Sequence, residues 1–140
     1  MIEITVNWAS AEVLFAELVK KTSATRPAMV AISGVLMDAV EENFEQQGRP
    51  KWPKLSEARI KERKRKGTWP GKILTEYGQL ATSFSPRATN DSAIVGTNVR
   101  YAAAQFLGLP ENNVPARNAL TFLPEDMAEA ELVLLRHLLR

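Results

Sequence analysis

Side chains able to do acid–base, nucleophilic or metal chemistry are scarce in this chain of 140 residues, which has one histidine, His137, and no cysteine. Without a thiolate, disulfide frameworks, cysteine-ligated zinc, iron–sulfur clusters and cysteine nucleophiles are all excluded. His137 stands between Arg136 and Leu138 with no second histidine to build a zinc site. It reads as a cation at the negative end of a helix dipole rather than a catalytic base. Glu41 and Glu45 lie one helical turn apart and could in principle work as a carboxylate pair, yet they fall on the polar face of an amphipathic helix and read as solvated. Ser33-Gly34 within that helix reads as a point of close packing rather than a nucleophile. Gly67, Gly71 and Gly78 are too widely spaced for a phosphate loop, and neither GxxxxGKS/T nor GxGxxG occurs. No catalytic residue, metal or cofactor is expected, and the chain is not expected to be an enzyme.

Charge is the feature that remains. The net charge is only +2, but residues 49–72 hold ten of the 18 Lys/Arg and two of the 16 Asp/Glu, a local balance of +8 against −6 for the rest. A concentrated patch of one sign biases association without fixing the fold. Its candidate interaction surface is Arg59, Lys61, Arg63, Lys64, Arg65 and Lys66, flanked by Trp52 and Trp69. Two readings stay open. The cations could hold phosphate backbones while the indoles stack bases, or the run could be a solvated surface helix. Both tryptophans adjoin prolines, which suits docking of the loop ends onto the core as well as it suits stacking.

The elements that must position these residues follow from spacing. Ile2, Ile4 and Val6 alternate with polar residues, which predicts a short strand. Val13, Leu14, Phe15, Leu18 and Val19 predict a helix over 10–21. Thr25 as a cap and Pro27 in the first turn open a second helix of about six turns, with Met29, Ile32, Leu36, Val40 and Phe44 inward and Gly48 ending it. Residues 49–55, with two prolines, predict an extended connection pinned by Trp52 and Leu55. Ser56 caps a short basic helix with only Ala58 and Ile60 to bury, hence exposed and marginal alone. After the GTWPGK break, a helix is expected over 73–82 with Ile73, Leu74, Tyr77 and Leu80 inward. Runs at 83–89 and 92–97 flank Asn90-Asp91 as a β-hairpin. A short helix over 98–106, an irregular stretch and a closing helix from Glu125 complete the chain, with Met127, Leu134 and Leu138 on one face. This order predicts an α+β domain, residues 1–140, with helices packed on a small antiparallel sheet and residues 49–72 as an exposed arm.

The N-terminal MIEITVNW has no basic region, so neither a signal nor a transit peptide is expected, and no run reaches the roughly 18 apolar residues that span a bilayer. No membrane partner is expected.

The boxes Asn43-Phe44-Glu45-Gln46-Gln47-Gly48-Arg49-Pro50-Lys51-Trp52-Pro53-Lys54-Leu55-Ser56 and Ile73-Leu74-Thr75-Glu76-Tyr77-Gly78-Gln79-Leu80-Ala81-Thr82-Ser83-Phe84, separated by the basic run, resemble the bacteriophage virion morphogenesis family, also called tail completion proteins. Val95-Gly96-Thr97-Asn98 with Tyr101-Ala102, and Pro115-Ala116-Arg117 with Leu120, resemble its later boxes, so the likeness covers residues 10–138. The chain departs from the family by lacking a histidine before Gln105 and by carrying Asn118 where a second proline is usual. The resemblance implies a structural protein of phage or prophage assembly at the tail end or head–tail junction. It would work as a ring homo-oligomer with other tail or connector proteins, first in the cytoplasm of the bacterial host and then in the virion. An acidic body with a basic arm supplies the two different surfaces that a ring requires. The alternative is a small nucleic-acid-binding protein using residues 49–72.

Overall fold

The computed structural model describes residues 2–7 and 25–139, and the helix expected over 10–21 lies outside them. In chain order the elements are β1 (Ile2–Asn7), α1 (Arg26–Glu45), α2 (Glu57–Lys66), β2 (Ser85–Ala88), β3 (Ser92–Thr97), α3 (Ala102–Leu107), a 3-10 turn (Pro110–Asn112) and α4 (Pro124–Leu138). The strands form a sheet in the order β1-β3-β2. The class is α+β, as the alternation of patterns predicts. The described residues group into two compact units, one of residues 2, 40–84 and 97–121, the other of residues 3–7, 25–39, 85–96 and 122–139.

In the second of these, the hairpin turns at Asn90-Asp91 as expected, with Thr89 N–H donating to the Ser92 carbonyl at 2.8 Å and Ala88 opposite Ala93 in an antiparallel register. The Thr25 hydroxyl, expected as a helix cap, donates to the Asn90 carbonyl and so ties the start of α1 to that turn. Met29, Ile32 and Leu36 of α1, Ala93 and Val95 of β3, and Ala130 and Leu134 of α4 are buried and form the interior of this unit. The inward side of α1 therefore follows the three- and four-residue repeat of its apolar residues, while Asp38 is exposed. Met127 and Leu138, placed with Leu134 on one face of α4, are half-buried.

The other unit has little regular structure, and its chain is held by side chains instead. Helix α1 ends in a turn where the Gln47 N–H donates to Phe44 O at 3.2 Å and the Gly48 N–H to Asn43 O at 2.7 Å. This double bond pattern puts Gln47, at φ 55, in the left-handed position that sequence reasoning gives to Gly48. Gly48, at φ 101, is needed one residue later, because a Cβ there would lie 2.6 Å from Trp52 N and Pro50 O. Trp52 is buried as expected, edge-on to Phe44 at 5.8 Å, and the aromatic series runs on from Phe44 through Phe84 to Phe106. Leu55 is half-buried.

Residues 73–82 are turns, not a helix. Leu74 (φ 60) and Gly78 (φ 76) break the helical repeat, and the Ile73 N–H is taken by Gln47 Oε1 at 2.9 Å. Ile73 and Leu80 are buried, but Tyr77 is 72% exposed rather than inward. The helix expected over 98–106 is confined to Ala102–Leu107, leaving Tyr101 outside it and Phe106 buried.

Asn43 holds this unit at its centre. Fully buried, it donates to Ala119 O at 2.7 Å and Thr121 O at 2.8 Å, while its own Oδ1 accepts from Arg49 Nε at 2.7 Å. An amide side chain with both donors and its acceptor engaged is satisfied, and truncating it would orphan three groups. Asn43→Ala is expected to destabilise the protein by about 3 kcal/mol, the sum expected for buried groups left without partners. A fall in the urea midpoint with unchanged slope measures this, and an unchanged midpoint refutes it.

Candidate interaction site

Helix α2 forms for the local reasons read in its sequence. Ser56 caps it, its side chain accepting from the Arg59 N–H at 3.2 Å, and Glu57 lies in the first turn with Arg63, Lys64, Arg65 and Lys66 in the last. Gly67, at φ 78, closes it in the left-handed conformation, with the Thr68 N–H donating to Arg63 O at 2.9 Å.

The six cations of the basic run have three different fates. Arg63 is 2% exposed, and its NH1 donates to the Lys72 carbonyl at 2.9 Å. Arg63 therefore does not stand on the exposed face with its neighbours, and neither does Trp52, whose indole N–H donates to Asn118 O at 3.3 Å. The helix is anchored by this arginine rather than by apolar contacts; Ala58 is exposed and Ile60 only half-buried. Arg59 and Lys66 are held by carboxylates, since Glu62 pairs with Arg59 at 2.6 Å and with Lys66 at 3.0 Å, and Arg59 reaches Glu76 at 2.6 Å. Lys61, Lys64 and Arg65 are exposed and make no ion pair among the described residues. Their spacing of three and four puts them on one helix face. Trp69 is half-buried.

A cleft of about 620 Å³ adjoins α2 within the same unit. Its walls carry Lys54, Arg59, Arg63 and Arg117 against one carboxylate, Glu76. Arg117, 6% exposed, donates from Nε to Pro53 O at 2.8 Å and from NH2 to Lys54 O at 2.9 Å. Burial, and then the charge of Arg63, hold its pKa below the ordinary arginine value. Burial also lowers that of Arg63, with Glu76 opposing the shift and Arg59 adding to it. The Nε of Arg63 is buried without a hydrogen-bond partner. Glu76 accepts from the Thr68 hydroxyl at 3.0 Å as well as from Arg59, so its charge is already engaged.

Sequence reasoning missed this cleft, because Arg117 appears there only as part of a family box. The one signal pointing to it is an arginine beside proline-rich irregular chain, where carbonyls have no regular partners. Elsewhere, the Ser33 hydroxyl is taken up by Val30 O at 2.7 Å, and His137 is half-buried in the last turn of α4. Among the described residues no three His, Asp or Glu side chains cluster in a way that could hold a metal ion, and no helix is long and apolar enough to cross a membrane.

The described residues thus bring a run of cations onto one short helix beside a cleft. The phage virion morphogenesis family model matches residues 6–139, and the chain belongs to that family. The membership expected from the ordered boxes is thereby established. The chain is 37% identical over 135 residues to Mu-like prophage FluMu G protein 2 of Haemophilus influenzae, across 92% of this chain and 90% of that protein. It is also similar to the putative capsid assembly protein G of Escherichia phage Mu, 33% identical over 96 residues, or 61% of this chain and 62% of that one. No solved structure matches it.

The Glu62 carboxyl is held below its ordinary pKa, first by its hydrogen bond to Lys66 and then by that to Arg59, with the charges of both adding to the effect. A lowered folded-state value stabilises α2 above the ordinary carboxylate range, and that contribution is lost as pH falls through the lowered value. Glu62→Gln should therefore lower the thermal midpoint slightly at neutral pH and coincide with the parent in strong acid. A midpoint difference that persists in strong acid would contradict the linkage.

Proposed function

We propose that this protein is a non-enzymatic structural component of a phage or prophage particle, acting in tail completion or head–tail joining as a ring homo-oligomer together with other virion proteins. It would be made and assembled in the host bacterial cytoplasm and end in the virion. The observation that carries the reading is the free cationic face Lys61, Lys64 and Arg65 on a capped, internally braced helix. Outside residues 49–72 the chain is net −6, and Glu41, Glu42 and Glu45 stand exposed on α1. A ring needs two different surfaces that complement each other on one chain, and opposite charges of this kind favour the right pairing and penalise wrong ones. Membership of a phage virion morphogenesis family and similarity to a protein named for capsid assembly support the particle as the setting.

The burial of Trp52 weighs against the nucleic-acid reading, since it removes one of the two aromatic side chains offered for base stacking. Replacing Lys61, Lys64 and Arg65 together by glutamine should leave the thermal midpoint nearly unchanged, because the three make no ion pair among the described residues. The same variant should lower the oligomer mass measured by light scattering at low salt and reduce the yield of assembled particles. Unchanged mass and unchanged assembly would defeat the proposal. Steeply salt-dependent DNA binding by the parent, lost in the variant, would replace it with the nucleic-acid reading.

A further inference from the structure

The cleft and the exposed face of α2 are chemically different. The face presents exposed side-chain ends, whereas the cleft sets two buried guanidiniums into its wall. Arg63 and Arg117 are bonded there only to main-chain carbonyls, Lys72 O in one case and Pro53 O and Lys54 O in the other. Hydrogen bonds to carbonyls satisfy N–H groups without neutralising charge. Among the described residues Arg117 has no carboxylate bonded to it and Arg63 has only the nearby charge of Glu76 against its own, and buried charges so placed are costly. The one carboxylate in the wall, Glu76, is bound to Arg59 and Thr68. With Lys54 included, the lining carries four cations against one anion. Arg63 Nε, buried and without a partner, is a donor for which the fold supplies no acceptor.

We propose that this cleft is a carboxylate-binding site that receives an acidic segment of a partner polypeptide, with an Asp or Glu side chain meeting the Arg63–Arg117 pair. Guanidinium groups hold carboxylates through charge-assisted, often paired hydrogen bonds, which are stronger than neutral ones. The volume lies within the range of about 300–1,000 Å³ typical of sites that enclose a ligand, enough for an acidic side chain and the backbone on either side of it. Gln79, Gln105 and Asn113 also line the cleft and supply amide groups suited to that backbone. A nucleic-acid strand fits less well. Tyr77 and Tyr101, exposed in the wall, offer rings for stacking, but a strand also needs a charged track along successive nucleotides, and here four cations are gathered in one cleft. The inference goes beyond assembly through the outer face and does not depend on it.

The test is calorimetric titration of the full chain at about 0.15 M salt, where exposed charges are screened within about 8 Å, with a short oligoglutamate peptide, acetylated and amidated so that only side-chain carboxylates are charged. The matched oligoglutamine peptide and an oligothymidylate of equal charge serve as controls. The glutamate peptide should bind saturably, the glutamine peptide not at all, and the oligothymidylate about tenfold more weakly. Gln105→Glu places a carboxylate in the cleft itself. It should reduce peptide affinity about tenfold while raising the thermal midpoint, because the added anion compensates the buried cations. Lys54→Gln, at an exposed position, should weaken binding severalfold with the fold retained. The Lys61, Lys64 and Arg65 triple glutamine variant should bind the peptide within about twofold of the parent, since salt screens those exposed charges. The proposal falls if the glutamate peptide shows no saturable binding or binds no better than its glutamine counterpart. It also falls if the oligothymidylate binds more tightly, or if the triple variant loses binding while Gln105→Glu and Lys54→Gln keep it.

Discussion

Irregular backbone cannot be buried unless something donates to its carbonyls, and that constraint shapes the unit around Trp52. Helices and strands satisfy their own main chain, but residues 46–56, 67–84 and 108–121 are largely turns and coil, and much of their hydrogen bonding comes from side chains. Three polar residues meet the need. Asn43 holds Ala119 O and Thr121 O, Arg117 holds Pro53 O and Lys54 O, and Arg63 holds Lys72 O. Asn43 and Arg117 join segments more than sixty residues apart, and Arg63 closes the turn that follows its own helix, so the aromatic series from Trp52 to Phe106 is enclosed by chain that polar side chains position. The use of arginine for two of these positions has a chemical cost. A guanidinium supplies several donors in a fixed plane, but it brings a charge into the interior with it.

That cost links architecture to charge distribution. The segment at +8 is not a uniform basic arm, because its cations are divided among an internal support, a paired ladder and a free face. Glu62 takes up Arg59 and Lys66, Glu76 takes up Arg59 again, and Glu45 takes up Lys72 at 2.6 Å. What remains to meet a partner is smaller than the sequence total implies. It is also more sharply located, in one helix face and one cleft.

The parts of this picture legible in the sequence are those governed by local rules. The strand at 2–7, the long amphipathic α1, the Ser56 cap, the Asn90-Asp91 hairpin and the closing helix all follow from period, caps and turn residues. The parts that were not legible depend on distant partners. Residues 73–82 have a helical apolar pattern, but Gln47 takes the Ile73 N–H and Arg59 takes Glu76, so tertiary bonds override it. Nothing in the string Lys61-Glu62-Arg63-Lys64 distinguishes Arg63 from its neighbours. Its burial is decided by a carbonyl nine residues away. Arg117 is equally opaque, since its role rests on Pro53 and Lys54, more than sixty residues earlier.

The burial of Arg63 also determines which way the rest of α2 faces. A helix turns 3.6 residues per revolution, so fixing one side chain inward fixes the direction of every other. With Arg63 held on the Lys72 carbonyl, Glu62 and Lys66 fall beside Arg59 in a surface ladder, and Lys61, Lys64 and Arg65 face solvent. A helix with so few apolar residues has no hydrophobic stripe strong enough to set its rotation. The buried guanidinium does so instead. One residue thus serves two surfaces: inward it adds charge to the cleft, and outward it decides which three cations face solvent.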